Sequence, residues 1–164
     1  MDAAGNKEIL TSPENNKEKL RVLVVDDEEY IRELILRVLK RGNFLESIDL
    51  VKVAVDGQEA WGILQENKEK FNVVLTDGRM PRMNGFDLAK RVKESGQDIT
   101  VALISAGMDG FDPNDPNDKN SAMKNFRLAA IFPKPLNLSQ FGEFMKQIIT
   151  IKAENAVASQ SQTP

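Results

Sequence analysis

The chain has 164 residues, so one domain with tails is expected, and a chain of this size buries an ordinary core without staples. It contains no cysteine and no histidine, which excludes disulfides, thiolate nucleophiles, Ser-His-Asp triads, His-ligated zinc and imidazole acid–base catalysis. The net charge of −3 carries no footprint of nucleic-acid binding, and without Cys or His any chemistry must rest on carboxylates, hydroxyls, Lys and Arg.

In chain order, residues 1–19 are mostly polar, rich in Asn, Lys and Glu, and read as a flexible tail without an apolar signal region. "LRVLVV", Leu20 to Val25, is a β-branched run bounded by acids and predicts a buried strand. "EEYIRELILRVLKRGN" has apolar residues at 31, 34, 35, 38 and 39, which is helical spacing, with Gly42 as its stop. "SIDLVKVA" predicts a second strand. "DGQEAWGILQEN" predicts a helix capped by Asp56 with Ala60, Ile63 and Leu64 inward. "FNVVLT" predicts a third strand, and "GFDLAKRVKES" a helix ending near Gly96. "DITVALISA" and "AAIF" predict two more strands. Between them only "KNSAMKNFRLA" is helical in pattern, after the breaker-rich "DPNDPND". "LSQFGEFMKQIITIKAE" predicts a last amphipathic helix with Phe141, Phe144, Met145, Ile148 and Ile149 on one face. "NAVASQSQTP" reads as a polar tail. No apolar run approaches the length of a membrane span, and the cytoplasm is the expected location.

Strand and helix thus alternate about five times, which implies an α/β fold with a parallel sheet covered on both faces. Ligands of such sheets bind at the carboxyl ends of the strands. Strand one ends at Asp26 and Asp27, strand three at Asp77, strand four at Ser105, and strand five near Lys134. A carboxylate at such a place can cap a helix, hold a metal or act as a nucleophile. Three carboxylates without His or Cys make an oxygen-rich set suited to Mg2+. A Lys and a hydroxyl at the same rim suit the oxygens of a phosphoryl group, and a carboxylate nucleophile gives an acyl phosphate. Singly, each residue has an ordinary reading as a cap, a turn residue, a loop hydroxyl or a solvated charge. Jointly, those readings must account for four matched strand ends at once.

The pieces "VLVVDDEEYIRELI", "VVLTDGRMPRMNGFDL", "VALISA" and "FPKP", in this order, resemble the receiver domain of two-component response regulators, of the stand-alone, chemotaxis-regulator-like type. The resemblance spans about Arg21 to Lys152, so the domain is bounded at 20–152 with flexible tails at 1–19 and 153–164. It implies a doubly wound, flavodoxin-like (βα)5 fold with strand order 2-1-3-4-5. It implies Asp77 as phosphoacceptor, Asp27 as a direct Mg2+ ligand, Asp26 as its neighbour acting through water, and the backbone carbonyl of Arg79 as a further ligand. Ser105 matches the hydroxyl that swings to the phosphoryl group, and Lys134 the lysine that pairs with the acceptor. The bond between Lys134 and Pro135 matches one that is usually cis in this family.

The chain also departs from the family. The position three before the lysine, usually aromatic, is Ile131, and Phe132 should face the other side of its strand. Pro133 donates no ladder hydrogen bond, which suits an edge strand. Arg79 lies two residues after the acceptor, where its side chain can reach the phosphoryl group and alter its lifetime. Gly85 is expected to supply a positive φ before the helix, and Pro81 to fix the loop. "GFDPNDPND" has a faint likeness to a calcium loop but lacks its Gly and terminal Glu, so it reads as a solvated loop.

The function implied is a signalling switch rather than an enzyme, one that catalyses its own phosphoryl transfer and slow aspartyl-phosphate hydrolysis. Its implied partners are a sensor histidine kinase or histidine phosphotransfer protein, and a downstream protein met through the helix 4–strand 5–helix 5 face. No nucleic acid or membrane partner is expected, and the chain should be a monomer or weak homodimer. The alternatives are a phosphorylation-independent interaction module on the same scaffold, or the receiver part of a longer regulator. A carboxylate-nucleophile phosphatase would need an acid where Arg79 stands.

Overall fold

A computed structural model describes residues 18–41, 44–66, 70–106 and 123–160. Gly42, the "GFDPNDPND" loop, residues 1–17 and residues 161–164 lie outside the described residues, and with them most of the N-terminal tail.

Each strand follows from a short apolar run that ends where the chain turns polar. The elements are β1 (Leu20–Val25), α1 (Glu29–Arg41), a 3-10 turn (Leu45–Ser47), β2 (Ile48–Ala54), α2 (Gly57–Glu66) and β3 (Val73–Thr76). They continue with α3 (Gly85–Ser95), β4 (Thr100–Ser105), a helical turn over residues 123–126 labelled α4, β5 (Leu128–Pro133) and α5 (Leu138–Gln160). The five strands form one parallel sheet in the order β2-β1-β3-β4-β5, as the resemblance implied.

The strand period of two sorts the runs onto two faces. Val22, Val24, Val73, Leu75, Ala102 and Ile104 point to the side covered by Ile35 and Leu39 of α1 and by Phe141 and Met145 of α5. Leu23, Val25, Val74, Val101 and Leu103 point to the side covered by Ala60 and Leu64 of α2 and by Leu88 and Val92 of α3. Central β3 is fully buried, so each of its apolar side chains contributes about 1.5–3 kcal/mol by leaving water.

Three elements differ from the sequence expectation. Phe71 and Asn72 precede β3 instead of joining it. Asn72 still bridges its neighbours, since its Oδ1 accepts from Arg21 N–H at 2.8 Å and its carbonyl accepts from Thr100 N–H at 2.9 Å. The fourth helical segment ends at Phe126, because Arg127 turns into the left-handed region at φ 53 and Leu128 opens β5. The last helix runs to Gln160, so residues 153–160 are helical and not a tail. Ala153, Ala156 and Ala158 are strong helix formers, and no Gly or Pro interrupts the turn they occupy.

β5 is an edge strand, which accommodates Pro133. Phe132 lies buried between the rings of Phe141 and Phe144, at centroid distances of 5.7 and 5.3 Å. Ile131 packs on the opposite face. The two side chains therefore point apart, as their adjacency in a strand predicts.

Candidate functional site

The strand ends converge because the ladder runs past them. Asp26 N–H donates to Ala54 carbonyl at 3.2 Å, Asp77 N–H to Val25 carbonyl at 2.8 Å, and Lys134 N–H to Ser105 carbonyl at 3.0 Å. These bonds fix Asp26, Asp77, Ser105 and Lys134 at one rim of the sheet. Asp26, Asp77 and Ser105 are buried there, and Asp27 is exposed. Carboxylate oxygens of Asp26, Asp27 and Asp77 all lie within 4.8 Å of one another.

Lys134 enters this cluster from β5, and its bond to Pro135 is cis. Its Nζ lies 2.9 Å from Asp26 Oδ2, 3.3 Å from Glu28 Oε1 and 3.6 Å from Asp77 Oδ2. Burial alone would pull the lysine down, but the bond to Asp26 and the charges of Asp26 and Asp77 outweigh it and hold Lys134 above its ordinary value. Asp26 does not move the opposite way, as a simple ion pair would demand. Burial pushes it up, and Asp77 adds to that push, more than Lys134 and the Glu28 N–H pull it down. Three acids crowd one ammonium.

Asp26 also braces the turn that leads into α1. Its Oδ1 accepts from Glu28 N–H at 2.9 Å, and the Arg32 side chain donates to its carbonyl at 2.7 Å. The same acid thus serves both the turn and the site. Among the described residues Ser105 Oγ donates a long 3.4 Å bond to Ala106 carbonyl. Arg79 exposes its side chain on the loop after Asp77.

The loop from Gly78 to Asn84 is shaped by close approaches. Gly85 N–H donates to Gly78 carbonyl at 3.1 Å. A Cβ on Gly85 would lie 2.0 Å from Asp77 carbonyl oxygen, and one on Gly78 2.7 Å from Ser105 Oγ. The need for glycine at 85 is therefore steric. The positive φ expected from sequence is absent there, and it falls instead at Arg82, with φ 66. Asn84 caps α3 by accepting from Asp87 N–H at 2.9 Å.

Sequence reasoning missed Glu28 as a partner of Lys134, because an acid at a helix start is commonplace. It also missed Arg82, which pairs with the buried carboxylate of Asp56. Asp56 does cap α2, accepting from Glu59 N–H at 2.9 Å, and its acidity is lowered in pKa because that N–H and Arg82 outweigh its burial.

The cluster fits a hard divalent cation. Its donors are all oxygen, and Asp77 Oδ1 is buried without a hydrogen-bond partner among the described residues. Such an orphaned oxygen calls for a cation or a bond to another atom.

Comparison with known proteins gives the same direction. Residues 22–141 match the family described as "Response regulator receiver domain". The chain is 33% identical over 117 residues to the chemotaxis protein CheY1 of Helicobacter pylori, covering 71% of this chain and 90% of that protein. It is 34% identical over 83 residues to the 3',5'-cyclic-nucleotide phosphodiesterase regA of Dictyostelium discoideum, covering 51% of this chain but only 10% of that much longer relative. A receiver domain protein from Clostridium thermocellum shares the fold, with a TM-score of 0.64 at 24% identity over 81% of this chain and 96% of that one.

Proposed function

The chain belongs to the response regulator receiver domain family, and on that premise we propose that it is a two-component signalling switch phosphorylated on Asp77. The observation that carries this reading is the convergence of Asp26, Asp27, Asp77 and Lys134, with one buried oxygen of Asp77 left for a new bond.

Asp77 is the nucleophile, taking a phosphoryl group from a phosphohistidine on a sensor kinase or histidine phosphotransfer protein. Asp26, Asp27, Asp77 and the backbone carbonyl of Arg79 would hold Mg2+, which when bound supplies positive charge beside the phosphoryl oxygens. Lys134 then turns from Asp26 towards a phosphoryl oxygen, and the Ser105 hydroxyl leaves its long bond to Ala106 for another. The protein acts on its own acceptor, so it is a switch and not an enzyme with a separate substrate. Arg79, two residues after the acceptor, changes how long the phosphate lasts. Output passes to a partner protein through the α4–β5–α5 face, and the cytoplasm is the fitting location. Among the described residues no helix is long and apolar enough to cross a membrane.

The test is phosphotransfer from acetyl phosphate and from candidate kinases to wild type and Asp77→Asn. Label that needs Mg2+ and disappears in Asp77→Asn supports the reading; equal labelling of both proteins refutes it.

One observation favours a second reading, a module used without phosphorylation. Position 131 carries Ile, and Phe132, on the opposite face of β5, is held in the core between Phe141 and Phe144. Beryllofluoride with Mg2+ separates the two: no change in NMR shifts at β4 and β5 favours the unphosphorylated module.

A further inference from the structure

The loop that follows the acceptor is fastened to a different part of the fold, and the sequence gives that fastening no obvious role. Arg82, exposed on the loop, pairs with Asp56, whose carboxylate is 1% exposed. One residue on, Met83 carbonyl accepts from Gly57 N–H at 3.0 Å. Gly57 has no room for a side chain there, since its Cβ would lie 2.6 Å from that carbonyl. Arg82 adopts its left-handed backbone where no glycine relieves it. One oxygen of Asp56 caps α2 at Glu59 N–H, and the other, buried and without a hydrogen bond among the described residues, faces the Arg82 guanidinium as an ion pair. Glu59 in turn accepts from Val55 N–H at 2.8 Å, so the start of α2 is itself well anchored.

We propose that Asp56 and Arg82 form a latch that positions the loop carrying Asp77 and Arg79, so that Arg82 and Asp56 are positioning residues for cation and phosphoryl binding. This rests on the proposed Mg2+-dependent phosphorylation of Asp77. The physical reason is the length of the loop. Between Asp77 and the cap residue Asn84 it is tied at Gly78 by Gly85 N–H and at Met83 by Gly57 N–H. Arg79, Met80 and Pro81 lie between those ties, and the ion pair of Arg82 with the buried acid holds the far end against α2. Without it the segment that carries the Arg79 carbonyl loses one of its ties to α2. Supporting groups behind a metal ligand set typically change affinity by about 10- to 100-fold.

Arg82→Ala removes the ion pair but strands a buried charge, so Asp56→Asn is tested beside it. The asparagine keeps the capping oxygen and removes the charge that Arg82 faces. Arg82→Lys keeps the charge without the planar guanidinium. Two measurements are made on the full chain. Amide hydrogen exchange at Gly57 and Gly85 in metal-free protein reads the ties directly. Titration calorimetry with Mg2+ alone reads the site. In Arg82→Ala and Asp56→Asn, exchange at both glycines should rise and Mg2+ affinity should fall about tenfold or more, with partial recovery in Arg82→Lys. The double variant should be no weaker than either single one. Mg2+ affinity within twofold of wild type in Asp56→Asn overturns the proposal, as does unchanged exchange at Gly57. Wild type that neither binds Mg2+ nor takes up phosphoryl from acetyl phosphate refutes the underlying reading and the latch's role with it, and that result is visible before any substitution.

Discussion

The ammonium of Lys134 lies 2.9 Å from Asp26 but 3.6 Å from Asp77. The lysine therefore leans on the acid at the end of β1, and only loosely on the acid at the end of β3. Glu28, 62% exposed, draws it the same way from 3.3 Å. Any new anion on Asp77 has to win Lys134 from both.

Glu28→Gln removes one competitor from the rim. An exposed ion pair is worth about 0.2–1 kcal/mol, so beryllofluoride should bind up to about fivefold more tightly at saturating Mg2+. NMR titration of both proteins measures it. Weaker binding in the variant contradicts the competition.

Three carboxylates facing one ammonium also cost stability. Asp77→Asn should raise the thermal midpoint in chelator, because a buried like charge is gone. Mg2+ at a hundred times its Kd should stabilise wild type by about 2.7 kcal/mol and the variant far less. Paired melts with chelator and with Mg2+ decide this, and an equal Mg2+ increment in both proteins counts against the cation site.

Gly85→Ala places a Cβ 2.0 Å from Asp77 carbonyl oxygen and 3.1 Å from Leu103. A backbone atom cannot rotate away, so the cost should be at least about 1–3 kcal/mol. Gly62, in the middle of α2, meets nothing within 4 Å, and Gly62→Ala should stabilise by about 0.5–1 kcal/mol. Urea midpoints of opposite sign are the expected result, and a neutral Gly85→Ala removes the steric account of the loop.

The carboxyl of Asp56 has a folded pKa below its model-compound value of 3.8. Its contribution to stability is therefore present above the unfolded pKa and is lost as the pH falls through the folded one. Wild type should exceed Asp56→Asn in stability at neutral pH, and the gap should close in the acid range below 3.8. Urea titrations across that range check the sign, and a gap that persists at the lowest pH argues that the charge is not what matters.

The strands were legible because their runs are short, mostly apolar and rich in β-branched residues. β1 begins and ends at the predicted residues, and the acids that close β1 and β3 mark the rim. The cap at Asp56, the stop at Gly96 and the opposed directions of Ile131 and Phe132 were legible too, since each follows from local backbone chemistry or from the strand period. α5 runs past the expected bound because the helix propensity of its alanines outweighs the polar composition around them.

By itself, the sequence determined which side chains could do chemistry, since without His or Cys only acids, hydroxyls, Lys and Arg remain, and it placed those at strand ends. Tertiary structure alone decided how they share one another. That Lys134 leans to Asp26, that Glu28 joins them, and that Arg82 reaches Asp56 are distances between segments far apart in the chain. Such distances depend on sheet register and loop closure, and no local pattern of residues encodes them.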